Sequence, residues 1–123
     1  MICLDTSFLI NALLPGSRQG RLVIQWIQEG EAVILPAVTW YEFLCGATEE
    51  ETRIAKAMAT GGIRAFEEVE ASQSARLFKE SGKPRRLRVD VMIAGTAIGL
   101  GAVLASDNRD DFAPFVPLGL RLL

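Results

Sequence analysis

The sequence has 123 residues, half of them hydrophobic, with a formal net charge of −2 and no histidine. This length suits one domain with its own core, and the hydrophobic fraction excludes an intrinsically disordered chain. The absence of histidine excludes His-based zinc sites, Ser-His-Asp triads and a histidine general base. We therefore expect a single domain over residues 1–123.

The sequence carries no pattern typical of export or of a membrane span. Asp5 interrupts the N-terminal apolar run, and no basic region precedes it, unlike in a signal peptide. The apolar stretch at 93–105 is shorter than a bilayer-spanning helix and contains three glycines. Cys3 and Cys45 lie in apolar surroundings, so we expect two buried thiols rather than a redox or metal pair. The expected location is the cytoplasm, without a membrane partner.

Apolar runs and helical periodicity alternate along the chain. Thr6 or Ser7 is the expected N-cap of the first helix, and Pro36 occupies the favoured first turn of a later one. Strands that alternate with helices across short loops predict a parallel sheet with helices on both faces. In chain order, the pattern predicts strand 2–4, helix 8–14, helix 22–30, strand 32–35, helix 36–59, strand 63–69, helix 71–80, a helix from 89 to 99 or 101, strand 102–105 and strand 118–120.

Four acids occupy positions where a solvated charge is unexpected. Asp5 ends the first strand, and Glu42 is the one acid in a strongly apolar helical turn. Asp90 lies in the first turn of an otherwise apolar helix, and Asp107 follows the strand at 102–105. Strand ends and the first turns of the following helices gather at one edge of a parallel sheet, so these acids are expected to converge there.

Converging carboxylates need protons or a cation. Two of them about 4 Å apart repel by roughly 4 kcal/mol at an effective dielectric of about 20. Mg²⁺ or Mn²⁺ fits best, because both take oxygen ligands and leave positions for water and phosphate. If four acids belong to the site, the 11 that remain of 15 face 13 lysines and arginines, so the rest of the surface is mildly basic, compatible with a nucleic-acid partner.

Each acid also has a simpler explanation. Asp5 caps the first helix, Asp90 interacts with a helix dipole for about 0.3–1 kcal/mol, and Glu42 pairs with an arginine. The acids at 107–111 form an Asx-rich turn. Taken together, these explanations require unrelated reasons for acids at corresponding ends of three core elements.

The segments around these acids resemble the acidic motifs of PIN-domain ribonucleases, in the family's order and spacing. The segments are ICLDTSFLI at 2–10, VTWYEFLCG at 38–46, VDVMIAGTA at 89–97 and GAVLASDNRDDF at 101–112. The compact length is similar to that of VapC-type toxins of toxin–antitoxin pairs. The resemblance implies a PIN-like three-layer α/β/α sandwich with a central, mainly parallel sheet of four to five strands. It also implies Mg²⁺- or Mn²⁺-dependent cleavage of RNA, a homodimer and a cognate antitoxin.

The resemblance carries catalytic and metal-binding roles to Asp5, Glu42 and Asp90. In this reading Asp5 and Asp90 hold the cation directly, and Glu42 binds through water or orients the attacking water. The fourth position is open, because the family's pattern falls on Asn108 and, before the Phe, on Asp111, while Asp107 lies beside it and is able to substitute. For the substrate, Thr6 is expected to bind a metal water or phosphate. The RNA backbone is expected to contact the basic loop of Lys83, Arg85, Arg86 and Arg88.

Two other functions remain open. A catalytically silent PIN-like module that binds a partner protein agrees with the high apolar content and the missing fourth acid. An aspartyl-phosphate enzyme is less well supported, because no second Asp lies two positions after Asp5 and no Gly-rich phosphate loop follows a strand.

Overall fold

One five-stranded sheet with β1 at its centre organises the molecule. The computed structural model describes residues 1–123, and the strand order is β3-β2-β1-β4-β5, with every neighbouring pair parallel. This is the sandwich expected from the sequence, and that prediction is confirmed. The elements are β1 (Ile2–Leu4), α1 (Thr6–Ala12), α2 (Arg18–Gln28), β2 (Val33–Pro36), α3 (Ala37–Leu44), α4 (Glu49–Met58), β3 (Gly62–Arg64), α5 (Glu68–Glu80), α6 (Arg88–Gly99), β4 (Val103–Ala105), α7 (Arg109–Phe112) and β5 (Arg121–Leu122), with 3₁₀ helices at Arg85–Leu87 and Ala113–Leu118.

Alternation along the buried strands divides the core into two layers. Ile2 and Leu4 of β1 face a cluster formed with α1, α2 and α4, whereas Cys3 faces the opposite cluster, formed with α5 and α6. Because β1 and β2 are apolar at every position, both faces of the sheet can be covered by helices. Burial also raises the pKa of the Cys3 thiol, with a smaller contribution from the charge of Asp5. Cys3 is therefore an inert core residue.

The chain reverses its direction of travel across the sheet next to β1. It passes from β1 outward through β2 to β3, then returns to the other side of β1 to form β4 and β5. Ligands of open parallel sheets bind outside the carboxyl ends of the strands at such a switch point. Here the two residues that follow those ends are Asp5, after β1, and Ser106, after β4.

Several element boundaries differ from the sequence-based prediction, for local reasons. The single helix expected at 36–59 is two helices, because Thr48 starts a new one: its hydroxyl accepts the Glu51 N–H at 3.1 Å, and the Glu51 carboxylate accepts the Thr48 N–H at 3.0 Å. This capping box is readable as Thr-x-x-Glu in the sequence. The last strand begins only after Gly119, which adopts the left-handed conformation at φ 114°.

The two cysteines differ in their exposure. Cys45 is exposed at the C-terminal end of α3, so the prediction that both thiols are buried is wrong for this residue. No helix has the length and apolar character needed to cross a membrane.

The packing of α5 against α6 depends on a glycine, and this generates the first prediction. A Cβ added at Gly95 would lie 2.9 Å from the backbone nitrogen and 3.1 Å from the Cα of Ser74. Backbone cannot move aside as a flexible side chain can, so Gly95→Ala should lower the free energy of unfolding by about 1–3 kcal/mol. Urea denaturation measures this loss.

Gly99→Ala in the same helix is the matched control. Its added Cβ would meet only the Val69 Cγ1, at an ordinary 3.8 Å. Alanine is the better helix former, so this variant should be as stable as the wild type or more stable by up to about 1 kcal/mol. Equal effects of the two substitutions would contradict the proposed close contact.

Candidate active site

Asp5 combines a structural role with a buried charge. Its Oδ1 accepts the Phe8 N–H at 2.8 Å, which caps α1, so the cap is Asp5 rather than Thr6 or Ser7. Its Oδ2 accepts the Ser106 hydroxyl, and the Ser7 hydroxyl lies 3.2 and 3.3 Å from its two oxygens. Only 3 % of the residue is exposed. Burial raises the pKa of Asp5, the bonds from Ser106, Phe8 and Ser7 partly offset that rise, and Asp107 adds to it.

Glu42 is tied to the loop that carries Asp5. The Thr6 hydroxyl donates to Glu42 Oε1 at 2.5 Å, joining the first turn of α1 to the half-buried face of α3. One turn earlier in α3, the buried Thr39 hydroxyl donates to the Leu4 carbonyl at 3.2 Å. These two bonds place α3 against the carboxyl end of β1. Glu42 forms no ion pair with an arginine, so that simpler explanation does not apply.

Asp90 is the acid whose environment most disfavours its charge. It is half-buried in the first turn of α6. Burial is the largest cause that raises its pKa, from 3.8 to about 6, and the negative charges of Asp111, Asp5 and Glu42 add to it in that order. Arg86 acts in the opposite direction. The helix dipole is therefore not the dominant influence on Asp90, because the net shift has the opposite sign.

Asp107 is directed towards the first two helices. Its Oδ2 accepts the Asn11 amide at 2.6 Å and the Gln19 amide at 3.0 Å, and the Arg18 guanidinium lies 3.9 Å from Oδ1. Asp107 acts on the charge of Asp5 but is not among the groups that shift Asp90. The carboxylate thus links the turn after β4 to α1 and α2.

Asn108 lies on the other side of that turn. Its backbone N–H donates to the Ser106 hydroxyl at 2.8 Å, and its side-chain amide lies 3.3 Å from the Ser7 hydroxyl. Ser7 and Ser106 therefore connect Asp5 with Asn108. Neither serine was predicted as a site residue, although both hydroxyls stand in the Asp-Thr-Ser and Ser-Asp-Asn segments. No sequence pattern indicated the partners of Asp107, which lie 96 and 88 positions away in the chain.

The basic loop contains one arginine that contacts the acidic site and three cations without an acidic partner. Arg86 donates to Asp111 Oδ1 at 3.1 Å. Arg88 contacts only the carbonyl of Arg85, at 3.1 Å, and Lys83 forms no ion pair. All four side chains are exposed, so a polyanion in solution is able to reach them.

The donor set fits a hard divalent cation in its chemistry. The negative charges of Asp111, Asp5 and Glu42 all act on Asp90, the pKa values of Asp5 and Asp90 are raised, and a single arginine has the opposite effect at Asp90. No three acidic or thiol side chains form a ready-made cage. Mg²⁺ typically binds through one or two carboxylates and retains water, so this looser arrangement suits it.

Fold and site together define an α/β protein with an acidic centre at the switch point of a parallel sheet. The family model of the PIN domain matches residues 2–114. The chain belongs to the PIN domain family. The resemblance seen in the sequence is thereby confirmed. A comparison with curated proteins gave no match.

Solved structures with this fold include several toxin–antitoxin complexes. A toxin–antitoxin complex from Klebsiella pneumoniae contains a chain of 26 % identity, with a TM-score of 0.70 over 92 % of this chain and 91 % of that one. VapBC2 from Rickettsia felis, bound to a DNA fragment from its promoter, matches at 18 % identity and TM-score 0.77 over 100 % and 98 %. FitAcB from Neisseria gonorrhoeae matches at 21 % identity, with a TM-score of 0.74 over 100 % of this chain and 96 % of that one. Because the last two chains are less than 25 % identical to this one, their similarity shows the fold alone.

The raised pKa of Asp90 predicts a pH-dependent cost to stability. Between about pH 4 and pH 6 the folded protein keeps a proton that the unfolded chain has released, so stability falls as pH rises through this window. Asp90→Asn removes the charge and keeps the shape. With metal chelated, the variant should exceed the wild type by about 1–2 kcal/mol near pH 7.5, a figure discounted for the half-exposed side chain, and by little near pH 4.

Urea unfolding at both pH values measures the difference. Asp110→Asn is the control, because Asp110 is exposed and forms no ion pair or side-chain hydrogen bond. A variant at Asp90 that is no more stable than the wild type at the higher pH would disprove the account of its charge.

The partners of Asp107 generate a separate prediction. Asp107→Ala leaves the Asn11 and Gln19 amides without their acceptor, so we expect a loss of about 1–2 kcal/mol in the free energy of unfolding. A double-mutant cycle with Asn11→Ala should show coupling, whereas a cycle of Asp110→Ala with Asn11→Ala should not. Additive losses at 11 and 107 would mean that the bond contributes nothing.

Proposed function

We propose that this protein is a Mg²⁺- or Mn²⁺-dependent endoribonuclease, that residues 1–123 act as one PIN-like domain, and that it is the toxin of a toxin–antitoxin pair. The observation that carries the proposal is the environment of Asp90, where burial and the negative charges of Asp111, Asp5 and Glu42 raise the pKa of this carboxyl and so disfavour its charged form. Membership of the PIN domain family supports nuclease chemistry.

In this proposal Asp5 and Asp90 hold the cation. A bound divalent ion lowers the pKa of its coordinated water and stabilises the charge that develops on a phosphodiester. Glu42, oriented by Thr6, accepts a proton from the attacking water or holds it by a hydrogen bond. Lys83, Arg85 and Arg88 bind the RNA backbone, together with Arg86 once it is free.

For the fourth acidic position we favour Asp111 over Asp107. Asp111 is the first of the charged groups that raise the pKa of Asp90, whereas both amide partners of Asp107 draw it towards α1 and α2. Asn108 completes the set as a neutral oxygen donor close to Ser7. Asp107 then acts on the site indirectly, by holding the turn that carries Asn108.

Partner binding is supported by apolar surface that the fold leaves uncovered. One exposed apolar surface lies between α3 and α6, where Tyr41 is 69 % and Val89 42 % exposed. A second lies among α1, α2 and α4, around Leu14 and Ile24. We propose that a second copy and an antitoxin cover such surfaces, by analogy with the toxin–antitoxin complexes of the same fold. Action on RNA implies the cytoplasm, which agrees with two free thiols.

The catalytic proposal predicts metal-dependent RNA cleavage that needs the central acids. With a panel of structured RNAs and Mn²⁺ or Mg²⁺, the wild type should cleave and excess EDTA should abolish the activity. Asp5→Asn and Asp90→Asn should each lower the rate by about a hundredfold or more, the scale seen when one electrostatic contact to a transition state is lost. Asp110→Asn should retain nearly full activity.

This experiment also separates the alternative of a catalytically silent partner-binding module. Because Asp90→Asn is expected to be more stable than the wild type, loss of its activity cannot be attributed to unfolding. Cleavage that survives in Asp5→Asn or in EDTA would refute the assignment. Absence of cleavage together with calorimetric absence of Mn²⁺ binding would favour the silent module.

A further inference from the structure

Arg86 differs from the other cations of its loop in its contact. Its Nη1 lies 3.1 Å from Asp111 Oδ1, across 25 positions of sequence. Lys83, Arg85 and Arg88 have no carboxylate partner. The Asp111 side chain is 35 % exposed and the Arg86 side chain 75 %, so the guanidinium approaches the acid from the solvent side.

The position of this ion pair relates it to the acidic centre. Asp111 is the strongest negative influence on Asp90, and Arg86 is the one positive group that acts on Asp90. Arg86 therefore reduces the repulsion between the negative charges at Asp90 and Asp111. A carboxylate oxygen that accepts from a guanidinium is less available to a metal ion, because both require the same lone pairs.

We propose that Arg86 is an internal competitor for the divalent cation: it occupies Asp111 in the metal-free protein and is displaced when a metal ion uses that carboxylate. This inference rests on the proposed function and adds a regulatory step to the same site. Arg86 is a positioning residue here, since it acts through Asp111. Its release at the moment of metal binding frees a guanidinium at the edge of the site, where an RNA phosphate would lie.

The exposure of the pair makes the displacement easy. Exposed ion pairs contribute little to stability, so breaking this one should cost Mn²⁺ affinity about twofold to fivefold. Arg86→Gln removes the positive charge of the competitor and keeps a polar, shorter side chain. We therefore expect Arg86→Gln to bind Mn²⁺ about twofold to fivefold more tightly than the wild type, in calorimetric titrations at physiological ionic strength.

Two controls separate competition from a general effect of charge. Arg85→Gln and Arg88→Gln each remove one positive charge from the same loop without removing a carboxylate partner, and salt screens their longer-range influence. Both should bind Mn²⁺ as the wild type does. In an Asp111→Asn background, Arg86→Gln should change the affinity much less, because the carboxylate for which both compete is absent and only the weaker effect of Arg86 on Asp90 remains.

The outcomes distinguish this inference from the proposed function. If the wild type binds Mn²⁺ and Asp90→Asn abolishes that binding, the proposed site is supported. The Mn²⁺ affinity of Arg86→Gln then decides whether Arg86 competes with the cation. Three results would overturn the competition while leaving the site intact. They are an unchanged affinity in Arg86→Gln, an equal gain in Arg85→Gln or Arg88→Gln, and a gain of undiminished size when Arg86→Gln is combined with Asp111→Asn. If neither the wild type nor Arg86→Gln binds Mn²⁺, both the competition and the proposed metal-dependent function are overturned.

Discussion

The rest of the site depends on the burial of one carboxylate. Asp5 lies at the end of the central strand with 3 % of its surface exposed, where an uncompensated charge is costly. Donors from both sides of the switch point compensate it: the Phe8 N–H and the Ser7 hydroxyl from α1, and the Ser106 hydroxyl from the turn after β4. This arrangement needs β1 and β4 as neighbours, so the sheet order and the position of Asp5 depend on each other.

Helix capping and site chemistry are compatible at Asp5, because its two oxygens have different partners. Oδ1 caps α1, whereas Oδ2 accepts from Ser106. The cap orients the carboxylate, and the same turn presents Thr6 to Glu42. A residue that looks like an ordinary N-cap in the sequence can thus anchor an acidic centre, and the structural explanation does not compete with the functional one.

Sequence patterns predicted the features that depend on local order. Apolar runs indicated a parallel sheet, and isolation among apolar residues pointed to three acids, of which Asp5 and Glu42 both raise the pKa of Asp90 in the folded protein. The break between α3 and α4 was readable in the sequence at Gly46 and at the capping box that begins with Thr48, and the prediction of a single helix overlooked both signals. The directions of the side chains in the turn at 106–111 were not predictable from the sequence. They depend on partners far away in the chain, which are Asn11 and Gln19 for Asp107 and Arg86 for Asp111.

Those partners explain why neighbouring acids in one turn have different roles. Asn11 and Gln19 satisfy Asp107 with neutral amide donors, which leave its negative charge in place but fix its direction. Arg86 gives Asp111 a positive partner from the solvent side, and because its side chain is 75 % exposed, the ion pair contributes little to stability. Partly buried amide hydrogen bonds, with one arginine 3.9 Å away, suit a structural link, while an exposed ion pair at 3.1 Å suits a carboxylate that must change partners. The different partners of the two acids agree with the proposal that Asp107 holds the turn in place and that Asp111 takes part in the acidic site.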